Sequence, residues 1–434
     1  MTLSGKNIAA LGFMTFAMYL GAGNLIFPPL LGYYAGENFI ISMLGFLLTG
    51  VGLPALALIV IALINGSDNL TQAFPRKVAI GFWVMLFIVI GPAFAIPRAI
   101  TVAYQFTFAP FIGDAGLAWF SAVFCLIAIL FSLYPGKLVS SLGKLLTPLL
   151  VVILTVLAGA AFMSPSDVHS IAHGAYVDGA FAEGLTQGYM TMDALGSIGF
   201  GWIIFRAIQG MGVTDSKAIT RYTLMAAGMY ALGITIVYFT LAYIGLTSPS
   251  LDVEFHNGGE ILTAFTQSHF GSAGILLLGV VMFLACLTTA IGVTTAAGEF
   301  HAKTFSWFNY RASICITMML AGLVATVGLS QLLKITLPAV VALHPIAIAL
   351  LLTALCRHYL NQAWAVLVVL VAACFGVIDA CHILEAIPGN LDQLCEHYLP
   401  LYAYYAAWLV PTLVTLVVGV GVSQSQFKAG SVKA

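Results

Sequence analysis

Charge is the scarcest ingredient of this chain. Only 7% of its 434 residues are Asp, Glu, Lys or Arg, against roughly 25% in soluble domains. That is too little to cover a surface facing water, so a soluble protein is excluded. The 15 basic and 16 acidic residues leave a net charge of -1, and there is no basic field to attract nucleic acid. Seven cysteines (Cys125, Cys286, Cys315, Cys356, Cys374, Cys381 and Cys395) include no CxxC pair or other metal spacing. Most lie in apolar runs, where a thiol is a small hydrophobe. No GxxxxGK[ST] cradle exists for a nucleotide, and no HExxH or nucleophile with a base falls in the apolar runs. An ATP-driven pump and an intramembrane enzyme therefore lack their chemistry. His169 and His173 have metal-pair spacing but no further ligands nearby, and they read as a solvated loop.

What is abundant is hydrophobicity, at 61% of residues with a mean hydropathy of +1.05. Apolar runs long enough for a hydrocarbon core of about 30 Å lie near 7–34, 38–65, 78–109, 117–134, 139–163, 187–211, 217–246, 273–298, 311–329, 334–356, 363–384 and 405–423. Backbone polar groups find no partner in lipid, so such runs must be helical. The expectation is an all-α polytopic membrane protein with 12 transmembrane helices and the bilayer as its surroundings. The opening MTLSGKNIAALGF lacks a basic stretch, a short apolar core and a small-residue cleavage site, so the first helix is expected to be uncleaved.

Orientation follows from the basic residues. Lys6, Arg76, Lys77, Lys137, Lys144, Lys217, Arg221, Lys303, Arg311, Arg357, Lys428 and Lys433 share the N-terminal side of this twelve-helix reading. Lys334 alone falls opposite, while Arg98 and Arg206 lie within spans. Acids such as Glu37, Asp114, Glu254 and Glu385 crowd the other side. Both termini are expected in the cytoplasm. The longest loops, near 164–186, 247–272 and 385–404, are then external.

The first span is interrupted by "GAGNLIFPP", Gly21 to Pro29. A helix broken at membrane depth exposes carbonyl and amide groups, tolerated only beside buried protein or a polar cavity. The carbonyl end near Ala17–Leu20 attracts cations, and the amide end near Ala22, Gly23 and Asn24 attracts a carboxylate. The competing reading is close helix packing by small residues. Half a chain later "DALGSIGFGW", Asp193 to Trp202, repeats the glycine-rich pattern within the sixth span. Its unwound turn is expected at Leu195–Ser197 or at Gly199–Gly201. Gly196, Ser197 and Gly199 are thus candidate substrate contacts. Asp193 is read as a substrate or ion contact, or as a polar group facing the external vestibule. Interruptions at matching places in two halves point to a transporter site between inverted repeats. A channel would more naturally use rings of like groups, which leaves a proton-coupled or exchange carrier of neutral amino acids as the alternative to an ion-driven symporter.

Helix 8 carries adjacent hydroxyls, Thr288 and Thr289, about halfway along. They either bond back to their own helix or join free carbonyls in an oxygen shell for a small cation. Arg98 either snorkels to the outer interface or gates the site. The amphipathic stretch Glu260–Phe270, with Phe265 at its centre, is a candidate cover for the entrance.

Five stretches resemble the branched-chain amino acid:cation symporter family, the BrnQ-type carriers: "ALGFMTFAMYLGAGNLIFPP", "GPAFAIPRAITV", "SLYPGKL", "GYMTMDALGS" and "TRYT". The likeness runs over nearly the whole chain. It implies the sodium-coupled leucine-transporter fold, with a five-plus-five inverted repeat of 7–163 and 187–356 and two further helices over 363–423, all in one transmembrane domain 1–434. It further implies import of leucine, isoleucine and valine with Na+ across the inner membrane, with no organic cofactor and no obligate protein partner. On that likeness the Ala22 and Gly23 amides hold the substrate carboxylate. The Ala17, Leu20 and Ala285 carbonyls with Thr288 and Thr289 hold Na+, and Asn24 matches a residue of a second sodium site found in some members.

Overall fold

The computed structural model describes residues 2–134, 139–163, 170–251, 254–255 and 257–431. Among them there is helix and no strand. His169, Lys137 and part of "SLYPGKL" lie outside the described residues.

The first apolar run is two helices. α1 (Gly5–Tyr19) starts at Ser4, whose hydroxyl accepts from the Asn7 amide, and the chain leaves the helical conformation at Leu20 (ψ 85°) and Gly21 (φ -109°, ψ -168°). α2 (Ala22–Ala35) then begins anew. Asn24 folds back so that its Oδ1 accepts from the Gly21 amide at 3.1 Å, satisfying a donor that a helix start leaves bare. After a turn at Gly36 (φ 49°) come α3 (Phe39–Leu47), a wide turn over Leu48–Gly52, and α4 (Leu53–Leu63). α5 (Arg76–Ile88) leads through a kink at Gly91 into α6 (Ala95–Thr107), the single turn α7 (Ala109–Ile112) and α8 (Leu117–Ser132). Widely wound backbone over Val139–Leu146 opens α9 (Thr147–Met163).

The second half begins with α10 (Tyr176–Met190) and α11 (Asp193–Gly210), separated by Thr191 and Met192. α12 (Ser216–Thr247), α13 (Gly258–Phe270), α14 (Ser272–Thr304), α15 (Tyr310–Ala325) and α16 (Leu329–Leu355) follow. α17 (Gln362–Ile383), α18 (Gly389–Tyr398) and α19 (Leu409–Ser431) complete the chain. Among the described residues 8 helical stretches are long and apolar enough to cross a membrane, while α8 and α15 are apolar but shorter.

α10 corrects the sequence reading, which placed an external loop over 164–186. Tyr176–Met190 carries Asp178, Glu183 and Gln187 and is no apolar run. Its helix is secured by packing. A Cβ on Gly184 would strike the Ser42 carbonyl, one on Gly188 the Thr49 hydroxyl, and one on Gly45 the Phe181 carbonyl. Glycines on both partners bring the α3 and α10 backbones together. Lipid tails are as apolar as leucine, so such close approach, rather than burial, drives association in a membrane. The same device joins α2 to α12, where Gly32 faces the Ala242 carbonyl and Gly245 faces the Pro29 carbonyl.

The chain divides into two compact units. The first, Met1–Ile59 with Phe87–Leu333, contains the α1–α2 and α10–α11 gaps. The second, Val60–Leu86 with Lys334–Ala434, is built largely from α16 to α19. Within it the Asp379 carboxylate is buried and accepts from the Ala407 amide at 3.3 Å. Asp392 accepts from Tyr402 at 2.6 Å and lies 2.8 Å from His382 Nδ1.

Candidate functional site

Both helix interruptions belong to the first unit, and one arginine joins them. The α10–α11 interruption lies at Thr191–Met192, where Met192 takes the left-handed conformation (φ 64°, ψ 13°). That is upstream of both expected registers. Gly196, Ser197 and Gly199 are regular helix within α11. The glycines mislead because Gly199 serves packing, with a Cβ there meeting the Phe87 ring at 3.2 Å.

The break leaves carbonyls of α10 without amide partners, and Arg98 of α6 supplies donors. Its Nη1 donates to the Met190 carbonyl at 2.7 Å and its Nη2 to the Thr191 carbonyl at 3.2 Å. The guanidinium also sits 5.6 Å from the centre of the Phe27 ring on α2, within cation–π range. Arg98 is 3% exposed. It does not snorkel.

Asp193, expected well inside a helix, is the first residue of α11 and is 5% exposed. The vestibule-facing reading is thereby corrected. The residue after a break sits among free amides, where a helix start favours an anion, and here two side chains add donors. Asn24 Nδ2 donates to Asp193 Oδ2 at 2.5 Å and the Tyr238 hydroxyl donates to the same oxygen at 3.1 Å. Asn24 Nδ2 also reaches the Tyr238 oxygen. Below this, Tyr19 donates to Ser197 Oγ at 2.8 Å, and Ser197 donates to the Asp193 carbonyl at 2.8 Å. Sequence reasoning missed Tyr19 and Tyr238. A signal was present: a phenol buried in an apolar span requires a hydrogen-bond partner.

Of the expected cation ligands, Ala17, Ala285 and Thr288 meet between α1 and α14. Thr288 Oγ1 donates to the Ala17 carbonyl at 2.8 Å and to the Ala285 carbonyl at 3.0 Å. Thr289 Oγ1 is buried without a hydrogen-bond partner. It faces the α1–α2 break, since a Cβ on Gly21 would lie 3.0 Å from it. Ala17, Leu20 and Ala285 are fully buried.

Gly21, Ala22, Asn24, Arg98, Asp193, Gly196 and Thr289 all line one cavity of about 30 Å³. That is room for a water, not for an amino acid. Arg98 gives its hydrogen bonds to carbonyls, and Asp193 takes its own from Asn24 and Tyr238. A guanidinium and a carboxyl group thus line one cavity without bonding to each other. Phe265 is not among the lining residues; it is buried within α13, its ring 4.2 Å from that of His269. α13 meets α2 at Gly258, whose Cβ would strike the Ile26 carbonyl, and α6 at Gly259, whose Cβ would strike the Phe106 ring.

A family profile described as "Branched-chain amino acid transport protein" matches residues 4–426. The chain belongs to that family. Among its relatives, the branched-chain amino acid transport system 2 carrier protein of Pseudomonas aeruginosa is 40% identical over 96% of both chains. The branched-chain amino acid permease BrnQ of Escherichia coli is 38% identical over 96% of both. BraB of Bacillus subtilis, also a branched-chain amino acid permease, is 35% identical with the same coverage. A member of this family is a multi-pass membrane transporter and not an enzyme. Its fold recurs in solved transporters of the leucine-transporter type. An Eremococcus coleocola manganese transporter superposes with a TM-score of 0.59 at 14% identity, covering 96% of this chain and 95% of its own. A nucleobase-cation-symport-1 family transporter reaches 0.55 at 15% identity, covering 93% and 96%.

Proposed function

We propose that this protein is a secondary active symporter that imports leucine, isoleucine and valine with Na+ by alternating access. The observation that carries the reading is the buried Arg98 guanidinium and Asp193 carboxyl group lining one cavity at the free ends of two interrupted helices. A zwitterion matches that arrangement. Its carboxylate is drawn to the α2 amide end at Ala22 and Gly23 with Arg98 behind it, and its ammonium to Asp193. Gly196 and Ser197 lie beyond Asp193 on the same helix. The names of the curated relatives supply the branched apolar side chain.

For the ion, the unpartnered Thr289 hydroxyl and the carbonyls that Thr288 touches offer hard oxygens suited to a small cation. One Na+ moving down 100 mV and a tenfold gradient supplies about 3.7 kcal/mol. That supports accumulation of a neutral zwitterion by several hundredfold. The buried Asp193 carboxyl favours a second reading, coupling to protons.

The topology is proposed as twelve crossings. Ala22–Leu63 is 42 residues, roughly 60 Å of helix, twice a hydrocarbon core, and it turns at Gly36. α10 with α11 forms one interrupted crossing, as α1 with α2 does. Repeats over 7–163 and 187–356, the second widened to 176 so that it takes in all of α10, cytoplasmic termini and residence in the bacterial inner membrane complete the proposal; the one-sided distribution of lysine and arginine supports the orientation.

The test is uptake of radiolabelled leucine into proteoliposomes, with sodium and membrane potential set independently. Accumulation that requires inward sodium and rises with inside-negative potential is expected. Equal uptake in sodium-free buffer, rising as external pH falls, would replace sodium by protons.

A further inference from the structure

The first unit holds a second cavity that the transport site does not use. A cleft of about 340 Å³ lies between α1, α9 and α12, at the small end of the roughly 300–1,000 Å³ of ligand pockets. Its walls include Phe13 and Phe16 of α1, Leu154 and Ala158 of α9, and Met229 and Gly233 of α12. Two threonines reach it, and both hydroxyls are tied to their own helices. Thr155 donates to the Val151 carbonyl at 2.8 Å and Thr240 to the Ile236 carbonyl at 2.9 Å. A cavity with no unmet polar group has nothing to hold water and accepts hydrocarbon instead. Its surroundings supply hydrocarbon. Ile236, part of the wall, is 58% exposed, and the adjoining Val152 and Leu232 are 61% and 66% exposed. Apolar side chains so exposed on a membrane protein face lipid tails.

We propose that this cleft binds one acyl chain of a membrane phospholipid and that the bound chain braces α1. Phe16 precedes Ala17, whose carbonyl meets Thr288, and Val237 precedes Tyr238, whose hydroxyl meets Asp193. The cleft wall and the transport site are thus opposite faces of the same turns. Gly233 lets the Phe16 ring lie against α12, since a Cβ there would approach the ring to 2.9 Å. Displacing α1 from α12 changes the shape of the cleft, so an occupant favours the arrangement described above.

The test uses the full-length protein in phosphatidylethanolamine vesicles containing phospholipid with a diazirine on its acyl chain. After photolysis, peptides are mapped by mass spectrometry. Adducts are expected on Phe16 and Met229, in excess over the lipid-facing control Leu323, and lost when Ala158→Phe fills the cleft. Excess free fatty acid is expected not to compete. Thr155→Phe, introduced from the exposed side of α9, serves where Ala158→Phe does not reach the membrane. Equal labelling of Met229 in wild type and filled variants overturns the site, and competition by fatty acid overturns the phospholipid assignment. The bracing claim is read from the sodium half-saturation of uptake in one fixed lipid. A shift in the filled variant is expected, and an unchanged value overturns it.

Discussion

A Cβ built on Gly23 would lie 2.8 Å from Nη2 of Arg98 and 3.2 Å from the Thr191 Cα. The amide end of α2, the carbonyl end of α10 and the guanidinium that caps it therefore converge where no side chain fits. Gly23→Ala is expected to leave membrane abundance near normal, because a flexible guanidinium can yield. It is expected to weaken leucine binding severely by displacing Arg98. Quantitative blotting beside equilibrium binding of labelled leucine decides it, and near-wild-type affinity would remove the substrate from this break.

Tyr238→Phe deletes one donor to the Asp193 carboxylate and the oxygen that Asn24 Nδ2 also reaches. A hydrogen bond to a charged group contributes about 1.5–3 kcal/mol, so the leucine KM is expected to rise roughly ten- to a hundredfold. Asp193→Asn removes the charge itself and is expected to abolish accumulation. Binding and uptake measured on both variants separate ammonium recognition from simple packing, which would lower abundance instead.

The two threonines of α14 differ in a testable way. Thr288 bonds to two carbonyls, whereas Thr289 has no partner to lose. Thr289→Ala should leave Tm unchanged while raising the sodium concentration for half-maximal uptake, and adding Thr288→Ala should raise it further. An unchanged half-saturation in the double variant would end the assignment of the cation site.

On the basic side of the first unit, Trp202 of α11 donates its indole N–H to Glu299 of α14 at 2.5 Å. Lys303 lies 4.3 Å and Arg206 5.4 Å from the Trp202 ring, each within cation–π distance. Trp202→Phe removes the hydrogen bond joining the two helices. Cysteine placed at Val293, beside the cavity, is expected to react faster with a thiol reagent applied from the side that carries Lys303. Identical rates would show that this contact does not hold the site closed.

Gly184 offers a prediction about folding. Its Cβ position is occupied by the Ser42 carbonyl, and backbone cannot swing aside as a side chain does. Gly184→Ala should therefore lower membrane abundance, with transport per surviving molecule largely retained.

These residues also show what was legible in the sequence. A disturbance after α1 was legible from the glycines, asparagine and prolines crowded into one apolar run, but the structure confines the non-helical backbone to Leu20–Gly21 and carries Asn24, Pro28 and Pro29 within α2. The second break was not legible. Thr191 and Met192 carry no signature of their own, and the turn exists because Arg98, distant in sequence, satisfies the carbonyls it exposes. α10 escaped because apolar runs reveal lipid-facing helices, while its own signal was glycine spacing against α3. Tyr238 was invisible as a contact because periodicity does not say which face of a long apolar helix turns inward.

The cavity between Arg98 and Asp193 bears on the half of the proposed cycle in which nothing is carried. A symporter must return empty, and a carrier with bare charges at its centre would either stall or drag ions back with it. Here each charge has a standby partner, carbonyls for the guanidinium and Asn24 with Tyr238 for the carboxylate. The unloaded protein closes over itself with its electrostatic demands already met. Those same bonds hold both groups in position for the next cargo, so the empty return stroke leaves the site ready to load.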